Sequence, residues 1–242
     1  MPSAPDLDVR FDSYDTREEL TAVLGQRAVS LIASAIAERG RAVIAVSGGS
    51  TPKPLYEFLS RQSLDWSKVT VVLVDERWVE PGQSGSNESF VLGSLLQGEA
   101  SRAHFVGLKT EGATPLEGLE DARLRLDAVK LPFDLVLLGL GPDGHTASWF
   151  PRAHGLADAL TRGTDRVAAV KAHETEVTGK LVQRITLTRS ALDGAGAVWM
   201  MIAGESKREA WHRVMESGPV EDLPARALLK DPELPLEVHW AA

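Results

Sequence analysis

The sequence predicts an α/β fold in three layers, a mostly parallel sheet with helices on both faces. Short apolar runs alternate along the chain with segments whose apolar residues recur at helical spacing. Ala42–Val46 is apolar throughout, as in a strand covered on both sides. Two of the runs end in glycine-rich turns, the usual way out of a parallel strand into a helix.

The elements follow in order. Asp15 to Glu38 carries Leu20, Val23, Leu24, Leu31, Ile32, Ala35 and Ile36 on one helical face, and Gly40 supplies a stop. Ala42–Val46 is a strand. Pro54 to Leu59 opens a helix. Thr51 reads as its N-cap with Pro52 in the first turn, although Pro54 disfavours a helical Lys53 and moves the start onward. Val69–Val74 is a strand. Asn87–Leu96 and Thr114–Val129 are helices, the second with Leu116, Leu119, Ala122 and Leu126 facing inward. Phe133–Leu138, Arg166–Val170, Arg184–Thr188 and Ala197–Ala203 are strands. Glu205–Met215 and Leu223–Leu229 are helices, and Leu236–Trp240 is a final strand. No repeat, low-complexity tract or interdomain linker interrupts the pattern, so residues 1–242 are expected to form a single domain.

Composition removes several classes of function. The chain has no cysteine, which excludes disulfides, thiolate catalysis and cysteine-ligated zinc. The histidines are scattered, and His173-Glu-Thr-Glu176 lacks the second histidine of a zinc-protease helix, so no metal site is expected. With 26 basic and 34 acidic residues the net charge is −8, which argues against nucleic-acid or anionic-membrane partners. Met1–Asp8 has no basic stretch leading into an apolar run, and no segment approaches ~18 consecutive apolar residues. A cytoplasmic location is the expectation. Oligomeric state is not legible.

Two loops carry the chemistry. Ser47-Gly-Gly-Ser-Thr-Pro52 follows the Ala42–Val46 strand. Gly48 and Gly49 leave no side chain in a ligand's way, and the N–H groups from Gly48 to Thr51 lead into a helix N-terminus, where anions bind. It is not a Walker A loop, since no Lys-Ser or Lys-Thr pair closes the spacing. Gly139-Leu-Gly-Pro-Asp-Gly-His-Thr-Ala-Ser148 follows the Phe133–Leu138 strand. Its first six residues match the dinucleotide pattern G-x-G-x-x-G. That reading fails because Pro142 and Asp143 occupy places that need open backbone donors, and because the next strand ends in Lys171 instead of an acid. The informative part is Asp143-Gly-His145. Gly144 permits a bend, Asp143 can orient the ring, and an imidazole, with a reference pKa of ~6.5, can take and return a proton near neutrality.

Charged residues at other strand ends complete the set. Asp75-Glu-Arg77 ends the Val69–Val74 run. Arg77 can hold a phosphate through paired charge-assisted bonds, and Asp75 or Glu76 can orient it or meet sugar hydroxyls. Arg184 begins a strand. Lys207 stands in the first turn of a helix, where a cation opposes the helix dipole and hints at an anionic ligand.

At these residues the chain resembles the 6-phosphogluconolactonases. The likeness runs through Val46–Tyr56, Val74–Val79, Ser86-Asn87, Gly139–Pro151, Arg184–Thr188 and Gly204–Trp211, in order and over nearly the whole chain. It departs at Leu181-Val-Gln183, where members often carry a Pro-Pro pair, and at the Val238-His-Trp-Ala-Ala242 end. The resemblance implies a modified Rossmann-like fold of the sugar-phosphate isomerase type. It implies hydrolysis of 6-phospho-D-glucono-1,5-lactone to 6-phospho-D-gluconate in the pentose phosphate pathway, without a cofactor. By the same resemblance His145 is the general base, assisted by Asp143. Ser47, Gly48, Gly49, Thr51, Asp75, Arg77, Asn87, Arg184 and Lys207 are substrate or phosphate contacts. Pathway dehydrogenases are candidate partners. Backbone N–H groups at Gly141 and Gly144 are the expected oxyanion donors.

Two other functions compete. Glucosamine-6-phosphate deaminases share the Ser-Gly-Gly and Asp-Gly-His turns but continue with an acidic residue, where this chain reads Thr146-Ala-Ser-Trp-Phe-Pro151. A non-catalytic sugar-phosphate sensor would have no need of His145, and no DNA-binding segment is appended.

Overall fold

The computed structural model describes residues 9–242. The expectation for Met1–Asp8 lies outside the described residues. Strand β1 (Arg10–Tyr14) leads into helix α1 (Arg17–Arg39). Thr16 caps α1 by accepting from the Glu19 N–H at 3.1 Å, and Gly40 ends it in the left-handed conformation at φ 70°. Then follow β2 (Ala42–Val46), α2 (Lys53–Leu59), β3 (Val69–Leu73), β4 (Asp75–Arg77), α3 (Asn87–Ser94), β5 (His104–Val106), α4 (Leu119–Asp127) and β6 (Leu135–Leu138). The chain continues through α5 (Leu156–Leu160), β7 (Val167–Lys171), β8 (Gln183–Leu187), β9 (Val198–Ala203), α6 (Glu205–Met215), α7 (Arg226–Leu229) and β10 (Leu236–Ala241).

Seven strands form one sheet in the order β1-β10-β9-β6-β2-β3-β5, and every neighbouring pair is parallel. All side chains of β2 and β6 are buried. Successive side chains of a strand point to opposite faces, so both faces of the sheet centre are covered. Because the sheet is parallel, the chain leaves β9, β6, β2 and β3 at a common carboxyl edge. That edge carries the glycine loops.

Three expectations needed correction. The Arg166–Val170 and Arg184–Thr188 runs are strands, but β7 and β8 join β4 in a separate antiparallel sheet of order β4-β8-β7. Local pattern specifies a strand, while its partner is a long-range choice. The helix expected from Thr114 begins only at Leu119, and Leu116 is 74% exposed instead of facing inward. Thr51 does not cap α2: Pro52 takes that place with no side-chain bond, and Lys53 is helical despite Pro54 behind it. Strands β1 and β5 and helix α5 had no strong periodic signal. β1 is a half-polar edge strand, and the other two are short.

α1 is long and apolar enough, by length and composition, to cross a bilayer, which a count of consecutive apolar residues missed. Here one face of it packs on the core. Leu20, Leu24, Ala28, Ile32 and Ala35 are buried, and mid-helix Arg27 pairs with both oxygens of Glu237 on β10 at 2.8 Å.

Candidate active site

The loop after β2 is open toward a cavity of about 270 Å³. Among the described residues, the N–H groups of Gly48, Gly49, Ser50 and Thr51 have no protein acceptor. Gly49 takes a φ of 104°, which a side chain would resist. Gly48 is required for space, since a Cβ there would lie 1.9 Å from Oδ1 of Asn87. The loop is held from below by Tyr56 on α2. This fully buried residue donates its hydroxyl to the Ser47 carbonyl at 2.7 Å.

The loop after β6 places His145 on the same cavity. Its Nδ1 lies 2.5 Å from Oδ1 of Asp143, and its ring centroid is 4.4 Å from that of Phe150. The side chain keeps 21% of its surface exposed, so water reaches it. Burial opposes ionisation of Asp143, but the hydrogen bonds and charge of His145 outweigh it and hold the carboxyl below its usual value. An ionised Asp143 accepts from Nδ1–H and leaves Nε2 with the lone pair. Gly141 makes this pairing fit, because a Cβ on it would fall 1.9 Å from Nδ1 of His145.

Gly141 and Gly144 are not free oxyanion donors. The Gly141 N–H donates to the His145 carbonyl at 2.8 Å, and the Gly144 N–H to the Gly141 carbonyl at 3.0 Å. Both amides close the turn, and neither residue borders the cavity. Asp143 also stands behind His145, outside the lining.

Three cations also border the cavity. Arg77 on β4 and Arg184 on β8 are directly opposite in the antiparallel ladder, and both line the cavity. Like charges so placed repel. Arg77 donates to the Gly85 carbonyl at 2.6 Å, and its buried Nε has no acceptor among the described residues. Arg184 is 4% exposed, donates to the Leu181 carbonyl at 2.6 Å and lies over the Phe150 ring at 5.1 Å. No carboxylate lies within ion-pair distance of either guanidinium among the described residues. Burial pulls Arg184 down to about 10, and the charge of Arg77 adds to the fall while Asp75 and Glu76 oppose it. Lys207 reaches the cavity from the first turn of α6 and donates to the Leu140 carbonyl. Burial lowers its pKa against the pull of Asp143.

The acidic residues divide their work. Buried Asp75 borders the cavity, accepting from the Asn87 amide at 3.1 Å and the Ser148 hydroxyl at 2.5 Å. Glu76 does not pair with the Arg77 guanidinium and lies outside the cavity lining. Its fully buried carboxylate accepts from the N–H groups of Arg77, Asn87 and Glu88, each at 2.7 Å, and so caps α3. Desolvation raises its pKa, with those amides opposing. Sequence reasoning gave no role to Ser148, Tyr56 or Phe150. Each lies within a motif already singled out, and the partners of Ser148 and Phe150, Asp75 and Arg184, are distant in sequence.

The family model described as glucosamine-6-phosphate isomerases/6-phosphogluconolactonase matches residues 15–240, nearly the whole chain. The chain belongs to this family. Among curated members, the 6-phosphogluconolactonase of Rhizobium meliloti is 41% identical over 228 residues, covering 94% of this chain and 97% of its own. That of Mesorhizobium japonicum is 40% identical over 239 residues, covering 96% and 94%. Among solved structures, a 6-phosphogluconolactonase from Shewanella baltica superposes with a TM-score of 0.91 at 39% identity, covering 97% of this chain and 98% of that one. The residues that follow His145 in the chain, Thr146, Ala147 and Ser148, carry no acid.

Proposed function

We propose that this chain hydrolyses 6-phospho-D-glucono-1,5-lactone to 6-phospho-D-gluconate, with His145 as general base. The observation that carries the reading is the arrangement of one cavity. An oriented imidazole borders it, together with unpaired Arg77 and Arg184, Lys207 and the open amides after Ser47.

In this mechanism the amides of Gly48 to Thr51, with Arg184, Lys207 and Arg77, hold the 6-phosphate. The hydroxyls of Ser47 and Thr51 stand beside that anion, and Asp75 and Asn87 face the sugar. Nε2 of His145 takes a proton from water as the oxygen attacks C1. The imidazolium then protonates the departing ring oxygen. Asp143 keeps the ring in the required tautomer and stabilises its charged form. General-base catalysis of this kind contributes ~10²–10⁴-fold, and the phosphate contacts act by positioning.

Residues 1–242 act as one domain in this reading, which one continuous buried core supports. A phosphorylated substrate is retained within a cell, so a cytoplasmic location and dehydrogenases that supply the lactone and consume the acid belong to the same proposal. The deaminase alternative calls for an acidic residue in the stretch after the Asp-Gly-His turn, where this chain has Thr146-Ala-Ser148.

The test is acid release from freshly generated 6-phosphogluconolactone, with and without the protein. Acceleration over the spontaneous rate is expected. Ammonia release from glucosamine 6-phosphate, with no effect on the lactone, would overturn the assignment.

A further inference from the structure

With the Gly141 and Gly144 amides engaged in their own turn, the group that stabilises the negative oxygen must be sought elsewhere. Backbone strain points to it. Ala147 and Arg152 are the non-glycine residues with positive φ among the described residues, at 50° and 54°. Side chains disfavour this region. At Arg152 local bonds account for it. Its N–H donates to the Glu221 carbonyl at 3.1 Å, its carbonyl accepts from Nε2 of His173 at 3.1 Å, and its side chain pairs with Asp222.

Ala147 is the first central residue of a turn that the Trp149 N–H closes on the Thr146 carbonyl at 2.9 Å. It borders the catalytic cavity two residues after His145, and among the described residues its N–H meets no acceptor. Its neighbours enforce the conformation. The His145 carbonyl is held by the Gly141 N–H at 2.8 Å. On the other side, the Ser148 N–H is held by Oγ1 of Thr186 at 3.3 Å, and the Ser148 hydroxyl by Asp75 at 2.5 Å. A strained residue pinned from both sides, with an idle donor at a reactive cavity, is a preorganised electrostatic site.

We propose that the backbone N–H of Ala147 is an oxyanion donor for this reaction; the proposal rests on the lactone-hydrolysis reading above. As the water oxygen bonds to C1, its proton passes to His145 Nε2 and the carbonyl π pair moves onto the carbonyl oxygen. The Ala147 N–H donates to that oxygen. When the carbonyl re-forms, the C1–ring oxygen bond breaks and the ring oxygen takes the proton from the imidazolium. The product is the open-chain acid.

Co-translational Ala147→lactic acid replaces this N–H with an ester oxygen and keeps the methyl group. Turnover of the parent protein is measured first, and its absence would sink the lactonase reading itself. Given an active parent, kcat of the ester variant is expected to fall about 10²–10³-fold with KM within about twofold. An ester variant with kcat within about threefold of the parent overturns the oxyanion role and leaves the lactonase reading intact. If the ester variant does not fold, the parent still decides the matter. Saturation of ¹⁵N-labelled protein with 6-phosphogluconate, whose carboxylate replaces the negative oxygen, should move the Ala147 amide proton downfield. An unmoved resonance overturns the proposal.

Discussion

The Ser148 hydroxyl donates to Oδ2 of Asp75 at 2.5 Å and joins the histidine loop to the strand end that carries Arg77. Both residues are buried, and Oδ1 of Asp75 is held separately by Asn87. Ser148→Ala leaves one buried carboxylate oxygen without its donor. A loss of ~1–3 kcal/mol of stability is expected, together with a lower kcat as the His145 loop loosens. Urea denaturation and steady-state kinetics measure the two effects. Unchanged values in both would show that the bond does not brace the site.

His145 and Asp143 should separate by size of effect. His145→Ala removes the base, and kcat should fall ~10²–10⁴-fold with little change in KM. Asp143→Asn keeps the shape but can no longer stabilise an imidazolium, so a smaller loss in kcat is expected. Full turnover in His145→Ala would remove the assigned base.

The two facing arginines predict an unusual pairing of binding and stability. Arg184→Met removes a desolvated cation and its repulsion with Arg77, so stability without ligand should hold or rise. KM for the phosphorylated lactone should increase at least tenfold in this variant, and mostly KM should also rise in Arg77→Ala. Inorganic phosphate should raise the melting temperature of the parent but not of Arg184→Met, as read by calorimetry. A parent that phosphate does not stabilise would contradict the anion site.

His239 predicts a pH dependence remote from the active site. It is fully buried on β10, and burial pulls its pKa down to about 4, with Glu237 and Asp12 opposing and Arg27 and Arg10 adding to the fall. The unfolded histidine titrates near ~6.5, so between those values the unfolded chain binds more protons than the folded one. Stability therefore falls as pH drops through this window, by about 3 kcal/mol from this residue. Below pH 4 its contribution is flat. Denaturation of His239→Gln should show a shallower slope between pH 6.5 and 4 than the parent. Equal slopes would refute the assignment.

What could be read in the sequence depended on range. The apolar runs that became β2, β3, β6 and β9 were legible because a strand buried on both faces needs no more than its own residues to declare itself. The helix expected at Glu205–Met215 matches α6 to the residue. The Ser47 and Asp143 turns were legible because few residues other than glycine tolerate such bends. Glu76 shows the limit. Its neighbours in sequence cast it as an arginine partner, whereas its true partners are the amides opening α3, about ten residues on.

By itself, then, the chain determined a parallel α/β framework, two glycine loops at strand ends and the residue types available for proton transfer and anion binding. Tertiary structure alone decided that β4 and β8 set Arg77 opposite Arg184, that Ser148 braces Asp75, that the Gly141 and Gly144 amides are already engaged, and that Ala147 is left-handed. The physical reason is that strand identity and turn shape are written in neighbouring residues, whereas pairing, desolvation and hydrogen-bond satisfaction belong to groups that meet only when distant segments pack.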